Sequence, residues 1–173
     1  MNIPERFKKI TTFVFDIDGV LTDGTLLLLK DGLQVRQMHI KDGLGLQMAL
    51  NNGYTVVAIS GGASEESRIR LLKLGVKDVY LKLGDKKQFL SDYIKEHDLS
   101  WQEILYMGDD LPDLSLMNVV GMPCCPADAV NEIKETVKYI SPFNGGCGCV
   151  RDVIEKVLKL NNHWNYHPGI HSR

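Results

Sequence analysis

The sequence predicts an α/β protein, a doubly wound parallel sheet with helices on both faces, and three observations carry that expectation. Short, continuously apolar, β-rich runs recur along the chain, the pattern of strands buried on both faces. Between them lie segments with apolar residues three and four apart, the period of helices with one buried stripe. The strongest runs end abruptly in Asp, Ser or Gly, and in such folds ligands bind outside the carboxyl ends of the strands, at a topological switch point.

Taken in order, Thr11 to Phe15 forms the first strand, stopped by Asp16. Tyr54 to Ile59 forms another, ended by Ser60-Gly61-Gly62, and Ile104 to Met107 a third, ended by Gly108-Asp109-Asp110. Asp78 to Tyr80, Gly121 to Cys124 and Lys138 to Ile140 are shorter candidates. Helical stripes run through Ser64 to Leu74 and from Lys86 to His97, with Phe89, Leu90, Tyr93 and Ile94 facing inward; Ala129, Ile133 and Val137 mark another, and Val150, Val153, Ile154, Val157 and Leu158 the last. One segment breaks the alternation. Thr25 to Lys30 and Leu33 to Met38 flank Asp31-Gly32, the two-residue signal of a β-hairpin, giving an insertion over about residues 25–38. Its four consecutive leucines leave both faces apolar, so the hairpin is expected to meet another subunit, with packing on its own domain as the alternative.

The length, 173 residues, fits one domain over residues 1–173. Twenty basic against 22 acidic side chains give a formal charge of −2, without the net positive field of a nucleic-acid binder or polybasic membrane anchor. No apolar stretch approaches the roughly 18 residues of a membrane span, and Met1 to Arg6 lacks a signal-peptide core, so a cytoplasmic protein is expected. The cysteines, Cys124-Cys125 and Cys147-x-Cys149, suit neither a disulfide framework nor common zinc spacing. Reduced thiols near the core are the expectation, and a cysteine-ligated metal the alternative.

Chemistry gathers at the strand ends. Asp16 and Asp18 stand two apart after the first strand, and Asp109, Asp110 and Asp113 follow another. Close carboxylates repel one another unless a cation or hydrogen bonds intervene, so a lone Asp-x-Asp fits a solvated turn but two converging clusters fit Mg²⁺ and a phosphate. Ser60-Gly61-Gly62 offers a hydroxyl and unhindered N–H groups just ahead of a helix, a cradle for phosphate, and Lys86 opens the next helix with an ammonium that could reach the same place.

These four elements, Asp16-Ile17-Asp18-Gly19-Val20-Leu21-Thr22, Ile59-Ser60-Gly61, Asp85-Lys86 and Gly108-Asp109-Asp110 with Asp113, resemble in order and spacing the four motifs of the haloacid dehalogenase superfamily, over about residues 11–158. Asp16 to Gly24, the triplet Lys41-Asp42-Gly43 and the late Gly145-Gly146-x-Gly148-x-Val150-Arg151 are similar, more narrowly, to its capless phosphatases of 3-deoxy-D-manno-octulosonate 8-phosphate. The resemblance implies a nucleophile at Asp16, a general acid and base at Asp18, and Mg²⁺ held by the Asp16 and Asp109 carboxylates and the Asp18 main-chain carbonyl. It implies Ser60 and Lys86 on the phosphoryl oxygens, and Asp110 and Asp113 positioning Lys86 or water on the metal.

The same resemblance implies a sugar-acid phosphate as the small-molecule substrate. Its contacts would come from Asp18, Gly61 and Lys86, from His39, Ile40, Lys41, Asp42 and Gly43 at a helix start, and from Gln47 and Arg70. Arg68, on the helix of Arg70, offers another bidentate guanidinium for a carboxylate. The chain departs from the family where members often carry Thr-Gly-Arg against Ser60-Gly61-Gly62, and where Lys41 and Gln47 replace arginines. Phosphatases of nine-carbon keto sugar acids share the catalytic motifs, and a phosphoacceptor receiver domain shares the sheet, the acidic cluster and the lysine; these are the rival readings. The resemblance further implies a homotetramer, with the hairpin and the tail of residues 161–173 reaching neighbours. The tail carries His163, His167 and His171, and Pro168-Gly169 interrupts any helix there. With no room for a cap domain, substrate selection falls to these small insertions.

Overall fold

The computed structural model describes residues 2–165. Six strands, β1 (Thr12–Asp16), β4 (Thr55–Ile59), β5 (Asp78–Tyr80), β6 (Ile104–Met107), β7 (Met122–Cys125) and β8 (Tyr139–Ile140), form one parallel sheet in the order β5-β4-β1-β6-β7-β8. The insertion supplies the short pair β2 (Leu27–Leu28) and β3 (Gln34–Val35). From β1 the chain first extends one side of the sheet through β4 and β5, then returns to β1's other edge as β6. The switch point therefore lies at the carboxyl end of β1, between β4 and β6.

Side-chain alternation along β1 assigns the two layers. Phe13 and Phe15 point into a core shared with α1 (Ile3–Lys8), α2 (Ile40–Asn51), α3 (Glu65–Lys73) and α7 (Cys149–Leu160). Val14 points the other way, into a core with α4 (Lys86–Glu96), α5 (Leu114–Met117) and α6 (Asn131–Thr136). All five residues of β1 are buried, as a strand covered on both faces requires. The helix ends are chemically defined: Ser64 accepts the Ser67 N–H at the start of α3, and Asp85 accepts the Gln88 N–H at the start of α4.

One expectation for the insertion changes, and one alternative falls away. The hairpin turn is not the two-residue Asp31-Gly32 loop. Leu29 donates its N–H to the Leu33 carbonyl at 2.8 Å, so three residues, Lys30 to Gly32, close the loop, and Gly32 takes the left-handed conformation at φ +79°. This is the geometry of a three-residue hairpin, in which glycine alone is unstrained at the last position. The alternative that falls away is packing of the leucines on their own domain: Leu26 to Leu29 are 45–70% exposed, and Leu33 and Val35 are exposed too. Cys124, Cys125 and Cys149 are buried free thiols and Cys147 is an exposed one. Of the tail histidines, His163 is held to the body by its Nδ1, 2.9 Å from the Tyr54 hydroxyl, while His167 and His171 lie outside the described residues. No described helix is long and apolar enough to cross a membrane.

Phe13 is fully buried beside Phe15 and Tyr54, so Phe13→Ala is expected to lower unfolding stability by about 3–5 kcal/mol, measurable as a reduced denaturant midpoint with little change in its slope.

Candidate active site

Asp16 ends β1, Ser60 follows β4 and Asp109 lies two residues beyond β6, so three neighbouring strands deliver their terminal residues to one place. Beyond Asp16 the backbone makes one wide turn, Ile17–Leu21, closed by the Thr22 N–H on the Ile17 carbonyl at 2.9 Å. Gly19 sits within it at φ +88°, and a Cβ there would fall inside the Asp109 carboxylate. Glycine is thus what lets the two acidic loops meet. Behind the turn, a Cβ on Gly145 would fall on the Gly19 carbonyl oxygen, and Gly146 donates its N–H to the Val20 carbonyl at 2.9 Å. The glycine segment ahead of α7 therefore presses on the turn after β1 of its own chain.

At the centre is Lys86, the first residue of α4, buried with its Nζ 2.8 Å from Asp16 Oδ1 and 2.6 Å from Asp113 Oδ1. Asp113 also accepts the Tyr106 hydroxyl at 2.6 Å on that oxygen and the Asp109 N–H at 3.0 Å on the other. Asp113, not Asp110, is thus the partner that orients Lys86. Asp110 instead caps its own helical turn, its carboxylate accepting the Leu111 N–H at 2.7 Å.

Burial, with the charge of Asp113, lifts the Asp16 carboxyl to about 7 against the pull of Lys86. Asp109 rises to about 7 by burial and by the charges of Asp113 and Asp110. For Lys86, burial opposes the charge but the two carboxylates outweigh it, so its pKa is raised.

Asp18 faces away from this network. Its Oδ1 accepts the Arg36 Nε–H at 2.6 Å and its Oδ2 the Ser60 hydroxyl at 3.3 Å, while Ser60 Oγ accepts the Gly62 N–H at 2.8 Å. Asp18, Ser60, Gly61, Lys86, Asp109 and Asp110 are among the residues lining a cleft of about 670 Å³ with Asp16 at its floor.

Carboxylate oxygens of Asp16, Asp109 and Asp113 lie within 4.8 Å of one another. The donor set fits a hard divalent cation, but both Asp113 oxygens are engaged by protein donors. Asp16, and Asp109, whose carboxylate makes no hydrogen bond to another described residue, are the available carboxylates.

The expected sugar-binding residues separate. His39, the residue preceding α2, and Lys41 line a second cavity of about 540 Å³ with Arg151. Ile40 is exposed, and Gly43 packs against Leu74. Asp42 is buried and accepts the N–H groups of Gly148 and Arg151 at 3.1 and 2.7 Å, which joins α2 to α7. Gln47 has a buried Oε1 without a partner among the described residues. Arg68 pairs with Glu65 on the surface at 2.7 Å. Arg70 lines a third cavity of about 360 Å³, next to Arg36. Within one chain, then, Asp18, Gly61 and Lys86 share the catalytic cleft and the α2 residues do not. Two site residues escaped the sequence reading: Tyr106, whose hydroxyl stood out only as a polar atom within an apolar strand, and Arg36, a cation on a leucine-rich hairpin.

The parallel sheet and the acidic cleft at its switch point are those of a hydrolase family: the model for haloacid dehalogenase-like hydrolases matches residues 65–154, and the chain belongs to that family. Among its relatives, the 3-deoxy-D-manno-octulosonate 8-phosphate phosphatase KdsC of Haemophilus influenzae is 30% identical over 155 residues, 90% of this chain and 86% of that protein. The crystal structure of 3-deoxy-D-manno-octulosonate 8-phosphate phosphatase from Moraxella catarrhalis, in complex with magnesium, phosphate and KDO, superposes with a TM-score of 0.90 at 31% identity, covering 93% of each chain. A probable YrbI family phosphatase from Pseudomonas syringae does so with 0.90 at 33% identity, over 93% of this chain and 92% of that one.

The raised carboxyls give a pH signature. Between 3.8 and about 7 the folded chain binds more protons at Asp16 and Asp109 than the unfolded chain, so stability falls as pH rises across that window. Chelator-treated protein should therefore melt lower at about pH 8 than at about pH 5.5. Mg²⁺ at about a hundred times its Kd should add about 2.7 kcal/mol at the higher pH, roughly 5–10 °C in Tm, and less at the lower one, where the carboxyls are protonated. Equal Mg²⁺ shifts at both pH values would contradict the assignment of Asp16 and Asp109 to the cation.

Proposed function

We propose that the chain is a Mg²⁺-dependent phosphatase that hydrolyses 3-deoxy-D-manno-octulosonate 8-phosphate to the free sugar acid and inorganic phosphate in the cytoplasm, through an aspartyl-phosphate. The observation that carries the reading is the pairing of Asp16 with buried Lys86 on the floor of the cleft, Asp18 standing two residues away with its carboxylate on the cleft wall. Relatives with this substrate in their names, over most of both chains, support the choice of sugar acid.

In this reading Asp16 attacks phosphorus, the bond from phosphorus to the sugar oxygen breaks, and Asp18 gives its proton to that departing oxygen. Asp18, now a carboxylate, takes a proton from the water that attacks the same phosphorus from the opposite side; the bond to Asp16 breaks and phosphate leaves. Lys86 and the Ser60 hydroxyl hold the non-reacting phosphoryl oxygens, where charge accumulates in the transition state. Asp113 and Tyr106 keep Lys86 aimed. A cation held by Asp16, Asp109 and the Asp18 carbonyl would neutralise the repulsion between carboxylate and phosphate.

The exposed leucines of the hairpin support an assembly of subunits, which we take to be a homotetramer with the hairpins at its contact. The α2 residues His39 to Gly43 and Gln47, away from their own cleft, fit a role across such a contact.

Phosphate release from the sugar-acid 8-phosphate with Mg²⁺ tests the reading directly. Asp16→Asn is expected to reduce turnover at least about 10³-fold with an unchanged fold by circular dichroism. Asp18→Asn should also lose turnover yet keep its Mg²⁺ affinity by calorimetry, because the ligand is its carbonyl. No preference for eight-carbon over nine-carbon sugar-acid phosphates would overturn the substrate. Leu28→Asp, placing a charge on the most exposed leucine of the hairpin, should shift the protein toward monomer in light scattering.

A further inference from the structure

Arg36 follows β3 where the hairpin rejoins the body, and it is the residue through which the insertion touches the cleft. Its side chain is 13% exposed, in contrast to the leucines before it. Its Nε–H is engaged by Asp18 Oδ1 at 2.6 Å, but its two terminal nitrogens make no hydrogen bond to any described residue. An arginine committed to a structural ion pair presents two parallel donors to one carboxylate; this one presents a single N–H, and its partner is 36% exposed.

One of the unused donors lies beside the cleft wall. A Cβ on Gly62, which lines the cleft, would lie 4.0 Å from Arg36 Nη2 and only 2.8 Å from Asp18 Oδ2, so a residue without a side chain is what fits beside this pair. Arg36 also lines the cavity of about 360 Å³ bordered by Arg70, Ser64 and Ser67. Arg36 thus reaches the wall of the catalytic cleft through Asp18 and Gly62, and itself borders a cavity that also holds a second arginine and two serines.

We propose that Arg36 binds the carboxylate of the sugar acid through its free Nη1 and Nη2 edge, and that it selects an acid-bearing sugar phosphate over a neutral one. A carboxylate matches two coplanar N–H donors, and Asp18, bound on the Nε side, keeps the guanidinium plane fixed while that edge stays open. The inference rests on the phosphatase reading above and adds to it the residue that reads the acid.

The test compares kcat/KM, with Mg²⁺ and the full-length protein, for 3-deoxy-D-manno-octulosonate 8-phosphate and for its analogue in which the carboxylate is reduced to an alcohol. Arg36→Ala should lower the acid-to-alcohol ratio roughly 10–100-fold, the scale of a lost hydrogen-bonded contact to a charged group, chiefly through KM for the acid. Arg36→Lys, which keeps the charge without the fork and guards against a folding defect in the alanine variant, should fall between. Equal losses on both substrates would assign Arg36 to holding Asp18 alone and overturn the inference, as would no loss on either. Wild-type protein that turns over both substrates while Arg36→Ala leaves the ratio unchanged overturns the inference alone; wild-type protein that releases phosphate from neither overturns the phosphatase reading with it.

Discussion

The site depends on a concentration of negative charge that the fold produces and Lys86 only partly offsets. Parallel strands side by side put Asp16 and the Asp109 loop within reach of each other, and Asp113 closes the triangle. Burial, together with the charge of Asp113 that one ammonium does not cancel, drives Asp16 and Asp109 to about 7. The remaining repulsion is what makes the cleft a receptor for a cation. Removing Lys86 would leave Asp113 and Asp16 buried and unpaired, so the residue serves the fold as well as the chemistry.

Packing around the charges is set by absent side chains. Gly19 admits the Asp109 carboxylate, Gly145 admits the Gly19 carbonyl, and Gly108 admits Asp113, each in a space where a Cβ would collide. The layers are less demanding: apolar residues of alternating direction on β1 and its neighbours fill two cores, and their identity matters chiefly through volume.

The fold was largely legible because its signals are local. Continuous apolar runs mark the six strands to within a residue or two, and the three- and four-residue stripes mark α3, α4, α6 and α7. Asp16, Ser60, Lys86 and Asp109 were legible because each follows a strand or opens a helix, and the order of strands in a doubly wound sheet carries such positions to one edge. Arg36 was not, because its position depends on how a hairpin folds back, and the Asp31-Gly32 signal misjudged even the length of that turn. The contacts of Asp42, a residue that entered through the resemblance alone, were not legible for a related reason: it answers the N–H groups of a segment more than a hundred residues later, a partner no local pattern announces.

That distance matters most for the turn after β1. Its backbone is braced by Gly145 and Gly146, which emerge from the ribosome long after Asp16 does. Strands β1, β4 and β6 can pair as soon as Met107 is available, but the bracing of residues 17–22 waits for Gly145 and Gly146, just ahead of α7. During synthesis the sheet can therefore precede a fully braced catalytic turn. A nascent or truncated chain ending before Gly145 would carry Asp16 ahead of an unbraced turn, so the formation of the hydrophobic scaffold and the completion of its reactive centre are separable events in the life of one molecule.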